Sequence, residues 1–362
     1  MSKDLHKTPF DENTKVKLSL FRDYLRDWLP VFTGIRKIYD AVNIFDFFAG
    51  PGKDLMNEPG SPSIIMDMIS KNRKYLSINK LKVNIYLNEF NHRKFQLLKK
   101  MISDENYSYV KIEMYNLDFE DAYKKLRSKM RNSANLLFLD QNGIKHITKE
   151  IFLDIIEHKA TDFLFFISSS TINRFFDVDD IKKYVDTSKI KIERGDHYNV
   201  HRAVLNYYKS LIPTDKKYYL APFSIKKDSN IYGLIFGSGH LLGIYKFLSL
   251  AWKKDPLRGE ANFDIDREKL IHGQESLFEG GNKPHKLKLF EEELEEKILS
   301  KVLKTDKEVV EYTLTNGFIS KHAKAIFTKM ISENKIPKQK ISFSNRGMYN
   351  PYYEHKNIIH NV

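Results

Sequence analysis

Short apolar runs alternate with longer amphipathic stretches from about Asn43 onward. Continuous short runs indicate buried strands, whereas apolar positions every three or four residues indicate helices. The strand-like runs are Asn43–Asp46, Val83–Leu87, Tyr109–Met114, Asn135–Leu139 and Asp162–Ser168. Because helical patterns separate them, the sequence predicts an α/β fold, a Rossmann-like sheet of mostly parallel strands with helices on both faces.

Two more strand-like runs close this series. Tyr218–Ile225 and Ile231–Gly237 flank the polar segment Lys227–Asn230, which has the composition of a hairpin turn. The sequence therefore predicts five parallel strands followed by an antiparallel hairpin, and this is the strand inventory of class I methyltransferases.

The first strand leads into a glycine turn, Ala49-Gly-Pro-Gly52, preceded by Asp46. Such a turn brings backbone N–H groups and one carboxylate close to a nucleoside ligand. The acid lies before the glycines and the three-glycine dinucleotide spacing is absent, so a nicotinamide dehydrogenase is disfavoured. The turn is similar to motif I of class I methyltransferases, although a tight strand-to-helix turn without a ligand explains the same residues.

Acidic residues follow four successive predicted strands: Asp46, Glu89, Asp118 and Asp140. The carboxyl ends of parallel strands share one edge of the sheet, where ligands bind in folds of this kind. We therefore expect the four acids to lie along one cleft.

Several dispersed motifs resemble the three-Cys-motif partner (TcmP) proteins. They are Phe45–Gly52, Pro59–Pro62, Leu137–His146, Ile231–His240 and Ala251–Pro256, in that order along the chain. The resemblance implies a bacterial, methyltransferase-like protein with S-adenosylmethionine as cofactor and a separate three-cysteine protein as partner.

The resemblance also implies roles for individual residues. Asp46 would face the cofactor ammonium group, Glu89 would accept the ribose hydroxyls, and Asp118 would accept the adenine amine or simply cap the helix that follows. The expected cofactor-binding residues are Asp46, Ala49, Gly50, Pro51, Gly52, Glu89 and Asp118.

The fourth strand ends at the expected catalytic residues, Asp140, Gln141 and Asn142. Similar proteins carry Asp-Pro-aromatic-Gly here, whereas this chain has Asp140-Gln-Asn-Gly143, without the proline or the ring. Asp140 can still polarise an N–H or take a proton. This limited help is sufficient because methyl transfer depends more on the orientation of the acceptor than on strong acid–base catalysis. The sequence thus leaves two functions open: a methyltransferase acting on nucleic acid or on a product of the partner, and a non-catalytic adaptor with the same fold.

Other polar residues lie near the same predicted edge. His146 is a candidate base, or a cap or surface residue, and the hydroxyl run Ser168–Thr171 serves the next helix equally well. Asn173 and Arg174 are the candidate substrate-binding residues, because a guanidinium can hold a phosphate or carboxylate in a bidentate pair.

Composition limits the setting. The 362 residues contain no cysteine, which excludes disulfides, thiolate metal sites and cysteine nucleophiles, and we predict no metal site. We expect a cytoplasmic protein, since neither a membrane span nor a signal peptide is evident. The formal charge of +13 favours contact with DNA or RNA, but an AT-rich genome that selects lysine codons explains it equally well.

The flanking regions suggest further units. An amphipathic helix, Thr14–Ile38 with a break at Pro30, precedes the sheet and is expected to cover its core. Three helical patterns follow from Leu287, and a short strand pair is expected after Lys338, with a turn at Asn345–Gly347. Three helices and a strand pair suggest a winged helix, which binds either nucleic acid or protein. Its third helix offers Lys321, Lys324 and Lys329 as the nucleic-acid-binding residues.

The predicted division of the chain follows these changes in pattern. It consists of an N-terminal helical segment (1–38), a methyltransferase-like domain (39–252), a linker or insertion (253–286) and the winged-helix-like module (287–362).

Overall fold

The computed structural model describes most of the chain. The described residues are 10, 12–32, 39, 41–103, 109–141, 146–158, 160–168, 200–227, 230–270, 283–343 and 353–360. The strands are β1 Ala41–Asp46, β2 Val83–Asn88, β3 Lys111–Tyr115, β4 Ser133–Leu139, β5 Thr161–Ser168, β6 Tyr219–Lys227 and β7 Asn230–Ser238. The helices are α1 Glu12–Trp28, α2 Ser61–Ile78, α3 His92–Ser103, α4 Phe119–Leu126, α5 Lys149–Glu157, α6 Val200–Leu211, α7 Leu241–Lys254, α8 His285–Leu299, α9 Asp306–Thr315 and α10 Ser320–Ser332.

The seven strands form one sheet in the order β3-β2-β1-β4-β5-β7-β6. The first five are parallel, and β7 runs antiparallel to both β5 and β6. The predicted α/β class and the closing hairpin are therefore confirmed. Strand order reverses between β1 and β4, so the ends of these two strands border the crevice in which such sheets bind ligands.

Both faces of the sheet are covered. One apolar cluster joins α1, α2 and α7 to side chains such as Phe138, and the other joins α4, α5 and α6 to side chains such as Phe45. Every residue of β1 and β4 is buried. Burial on both sides explains why these strands appear in the sequence as continuous apolar runs.

A row of polar side chains fixes the register of the central strands. The Asn84 amide donates to Asn43 (2.8 Å), Asn43 donates to Asn135 (3.0 Å), and Asn135 donates to Thr161 (2.9 Å). These residues lie opposite one another on β2, β1, β4 and β5. A shift of one residue would leave buried amides unpaired, so the row disfavours other registers.

Helix α1 is part of the core, as expected. Phe21 and Tyr24 are fully buried, and the Tyr24 hydroxyl donates to Asp162 Oδ2 (2.6 Å) at the start of β5. The α-helix ends at Trp28 and is followed by a 3₁₀ turn, Leu29–Phe32, so the predicted break near Pro30 is present; residues 33–38 lie outside the described residues.

The three predicted C-terminal helices are present as α8, α9 and α10. Thr305 and Glu308 form the predicted capping box at the start of α9. Gly317, with a φ of 81°, follows the end of the same helix. Residues 335–343 and 353–360 contain no assigned strand, although Gln339 pairs through its side chain with the backbone of Ile359. The predicted turn at 345–347 is outside the described residues, so the winged helix is not confirmed.

The C-terminal helices share their apolar cluster with the sheet. Phe318 lies between Trp252 of α7 and Phe290 of α8, at ring distances of 5.6 and 3.9 Å. Tyr219 lies on β6 and Lys217 lies just before it, and both side chains donate hydrogen bonds to Glu311 of α9. The sheet edge and these helices therefore pack directly, while the predicted domain boundaries stay a prediction.

The described part of the predicted linker or insertion folds back onto β6. The Ser224 N–H donates to the Glu260 carbonyl (2.7 Å), and the Asn262 N–H donates to the Ser224 carbonyl (3.1 Å). The buried Glu260 carboxylate pairs with Arg202 of α6 and Lys286 of α8. This ionic group ties the segment to two helices.

Candidate functional site

The turn after β1 is built around two left-handed glycines. Gly50 has a φ of 63° and Gly52 a φ of 89°, a region that costs other residues free energy. The Ala49 N–H donates to the Asn88 carbonyl (2.9 Å), which joins the turn to the end of β2. The chain therefore turns sharply at the carboxyl ends of β1 and β2.

The turn is packed tightly against its neighbours. A Cβ atom on Gly52 would lie 2.3 Å from the Met101 sulfur, and one on Gly60 would lie 2.9 Å from the Gly52 carbonyl. The Gly60 N–H and the Ser63 hydroxyl both donate to that carbonyl, at 2.8 and 2.7 Å. The predicted Gly-Pro-Gly and Pro-Gly-Ser-Pro motifs thus meet in space because only glycine fits between them.

Asp46 is buried at the end of β1. It is 1% exposed; Oδ1 accepts the Phe48 N–H at 3.2 Å, whereas Oδ2 has no hydrogen-bond partner among the described residues. Burial raises the pKa of Asp46 to about 7; the Phe48 N–H and the nearby Ser61 hydroxyl, which makes no hydrogen bond to Oδ2, oppose this rise only in part. A cation placed beside Oδ2 would favour the ionised form.

Glu89 lies beside the glycine turn. Its Oε2 accepts the Gly50 N–H (2.9 Å) and its Oε1 accepts the Asn91 N–H (2.6 Å). The neighbouring Asn88 amide bridges the carbonyls of Phe47 and Leu117 (3.2 and 3.0 Å), which fixes the loops after β1 and β3. The structure thus brings the first two predicted acids to one turn.

Asp118 caps α4. Its Oδ1 accepts the Asp121 N–H (2.8 Å), so the capping alternative is observed; its role toward adenine stays a prediction. Three rings cluster beside it: Phe48 stacks on Phe119 at 5.3 Å, and the His146 ring lies 5.3 and 5.2 Å from these two. His146 therefore contributes a flat, half-buried surface next to the turn.

The fourth acid is paired with a residue from another part of the chain. Asp140 Oδ1 accepts a hydrogen bond from the Lys17 ammonium on α1 at 2.7 Å. Gln141 is buried, its Oε1 accepts the His146 N–H (3.0 Å), and its Nε2 has no partner among the described residues. Several predicted residues lie outside the described residues: Asn142, Ser169–Thr171, Asn173 and Arg174.

Lys17 was not predicted as a site residue. The signal was available, because residues 17, 21, 24 and 28 share the spacing of one helix face, and the last three are apolar or aromatic. A lysine on a buried face must reach an anion or water. Here it reaches the end of β4.

The predicted nucleic-acid-binding lysines, Lys321, Lys324 and Lys329, are exposed along α10. Their neighbour His322 is not free to enter a groove, because its Nδ1 accepts the Ile319 N–H (3.1 Å) and its ring packs on Trp252 at 4.1 Å. Burial lowers the pKa of His322 to about 4, so the ring is neutral at pH 7.

Within the described ranges, no helix is long and apolar enough to cross a membrane, and no three His, Asp or Glu side chains are grouped closely enough to hold a metal ion.

No family model and no curated protein matches this sequence. Solved structures of methyltransferases share parts of the fold at low identity. Trm1 from Pyrococcus horikoshii, solved with S-adenosyl-L-methionine, is 11% identical over 66% of this chain, with a TM-score of 0.38, and the match spans only 58% of that protein. A putative methylase from Haemophilus influenzae is 14% identical over 62% of this chain and 88% of its own, with a TM-score of 0.29. A putative methyltransferase from Escherichia coli is 12% identical over 64% of this chain and 89% of its own, with a TM-score of 0.28.

Proposed function

We propose that this chain binds S-adenosylmethionine at the carboxyl edge of β1 and β2. The proposal is carried by the Asp46 carboxylate, which is buried, has an oxygen without a partner among the described residues and precedes two left-handed glycines. A buried carboxylate needs a cation or a donor to be stable when ionised. The ammonium group of the methionine part supplies that charge.

The other acids of this edge retain acceptor capacity for the same ligand. Each Glu89 oxygen accepts one backbone N–H, and a carboxylate oxygen has two lone pairs, so both oxygens can also accept ribose hydroxyls. Asp118 uses Oδ1 for its cap, which leaves Oδ2 for an adenine amine. The bound cofactor would supply an activated methyl group, and Asp140 at the end of β4 would orient the acceptor and hold its proton.

We further propose a methyltransferase-like protein of the TcmP type, acting on nucleic acid or together with a three-cysteine partner. The dispersed motifs support the family, and the exposed lysines of α10 together with the +13 charge support contact with DNA or RNA. The winged-helix-like module at 287–362 would provide that contact.

One observation favours a non-catalytic adaptor as the second candidate. The carboxylate expected to orient the acceptor is already engaged by Lys17. In an adaptor this pair would be a permanent structural link between α1 and the sheet, and the cofactor would serve binding or stability alone.

Isothermal titration with S-adenosylmethionine and S-adenosylhomocysteine tests the cofactor proposal. The wild type is expected to bind both, and Glu89→Ala should weaken binding by about 1.5–3 kcal/mol, the value of hydrogen bonds to a charged group. Glu120→Ala, an exposed acid in the first turn of α4, is the matched control and should bind as the wild type does. Absence of binding by the wild type at millimolar ligand would refute the proposal.

A further inference from the structure

The Lys17 ammonium lies in a small cage. Besides the Asp140 carboxylate at 2.7 Å, its Nζ lies 4.8 Å from the centre of the Phe166 ring and 5.3 Å from that of Tyr232. The Lys17 side chain is 11% exposed and that of Asp140 is 25% exposed. One carboxylate and two aromatic faces around an ammonium form an arrangement that recognises amines.

The sheet supplies the two rings and places them next to Asp140. Phe166 and Tyr232 lie on adjacent strands, β5 and β7, two residues apart in register, so their side chains share one face near the end of β5. Asp140 directly follows β4, the other neighbour of β5. The cage therefore belongs to the same carboxyl edge as the glycine turn.

Lys17 enters this cage from α1, which is anchored elsewhere. Phe21 and Tyr24 are fully buried, and Tyr24 is hydrogen-bonded to Asp162 at the opposite end of β5. The lysine side chain has four rotatable bonds, so its ammonium can leave the cage while the anchored part of the helix stays in place.

We propose that Asp140, Phe166 and Tyr232 form an amine-binding site for the methyl acceptor, and that Lys17 is its internal occupant. The role of the bound amine as methyl acceptor rests on the function proposed above, whereas the amine site itself rests on the geometry of the cage.

A primary alkyl amine is the class of group that fits. Its nitrogen would take the place of Lys17 Nζ, donate to Asp140 and lie over the two rings. Binding of an outside amine then competes with Lys17, so the internal lysine lowers the apparent affinity by the fraction of time that it occupies the site.

The test uses Lys17→Ala, which removes the atoms Cγ to Nζ from the cage. n-Propylammonium replaces those atoms, and 1-propanol is its neutral analogue. Thermal unfolding followed by circular dichroism should show that n-propylammonium raises the Tm of Lys17→Ala by about 2–3 °C at roughly thirty times its Kd. 1-Propanol should give no such rise.

Three controls make the result specific. The wild type and Lys15→Ala, which removes an exposed lysine of the same helix, should show a much smaller stabilisation because Lys17 competes for their site. Lys17→Met keeps an unbranched chain against the rings without the charge, so it should fold and show no effect. Asp140→Asn added to Lys17→Ala should abolish the effect.

The proposal is overturned if n-propylammonium and 1-propanol act equally on Lys17→Ala, or if the wild type is stabilised to the same extent. It is also overturned if Lys17→Ala shows no response while its near-ultraviolet spectrum is native. The unfolding assay contains no cofactor. A failure of the protein to bind S-adenosylhomocysteine would therefore refute the proposed function without affecting the test of the amine site.

Discussion

Cofactor binding should depend on the ionisation of Asp46. Burial raises the pKa of this carboxyl to about 7 in the free protein, and the proposed ligand presents an ammonium group to it. Only the ionised form attracts that group, so the affinity should follow the ionised fraction. With a pKa of about 7 this fraction is about 0.9 at pH 8 and about 0.1 at pH 6, which predicts about tenfold weaker binding at pH 6, or about 1.4 kcal/mol.

The direction of this effect follows from linkage. The folded protein keeps the Asp46 proton between the ordinary carboxyl pKa of 3.8 and about pH 7, whereas the unfolded chain releases it. The contribution of this group to stability therefore falls as the pH rises through that interval. A bound cation reverses the preference for the proton, so binding should release a proton near pH 7.

Titration calorimetry with S-adenosylhomocysteine at pH 6, 7 and 8 measures the affinity at each pH. Repeating it in buffers of different ionisation enthalpy gives the number of protons released on binding. Asp46→Asn should bind weakly with a flat profile. Asp67→Asn, an exposed acid on α2, should keep the wild-type profile. Equal wild-type affinity at pH 6 and pH 8, or an unchanged slope in Asp46→Asn, would refute the assignment.

Three other predictions concern separate parts of the molecule. Asp140→Ala should abolish methyl transfer, measured with labelled cofactor, and leave S-adenosylhomocysteine affinity within about twofold, because the role proposed for Asp140 is toward the acceptor and not toward the cofactor. Asp162→Asn should reduce the fall in Tm between pH 4 and pH 6. Burial raises the pKa of Asp162 to about 6, so the folded wild type keeps this proton while the unfolded chain ionises, which lowers the stability by about 2 kcal/mol over that interval. Glutamate at Lys321, Lys324 and Lys329 should weaken nucleic-acid binding and reduce its salt dependence in fluorescence anisotropy, because fewer counterions are released.

Each of these has a clear contrary result. Parallel losses of cofactor affinity and turnover in the Asp140 variant would place that residue in the cofactor site. An unchanged pH profile in the Asp162 variant would show that its proton is not retained on folding. Tight binding with an unchanged salt slope in the lysine variant would make α10 a packing or protein-docking element.

The sequence determined the features that depend on local pattern. Apolar runs located seven strands within about two residues at each end, and Thr305 with Glu308 marked a helix start because a capping box involves only residues three apart. The glycine turn was likewise evident, since a left-handed backbone at Gly50 and Gly52 requires that residue type.

Only the tertiary structure decided the chemistry of the edge. The Lys17–Asp140 pair joins residues 123 positions apart, and the raised pKa of Asp46 follows from burial that no local pattern records. The C-terminal helices also gave no sign in sequence that Phe318 would pack on Trp252. Helix and strand formation depends on neighbours in the chain, whereas electrostatics and packing depend on distances in space, and these are fixed only when the whole sheet and its covering helices assemble.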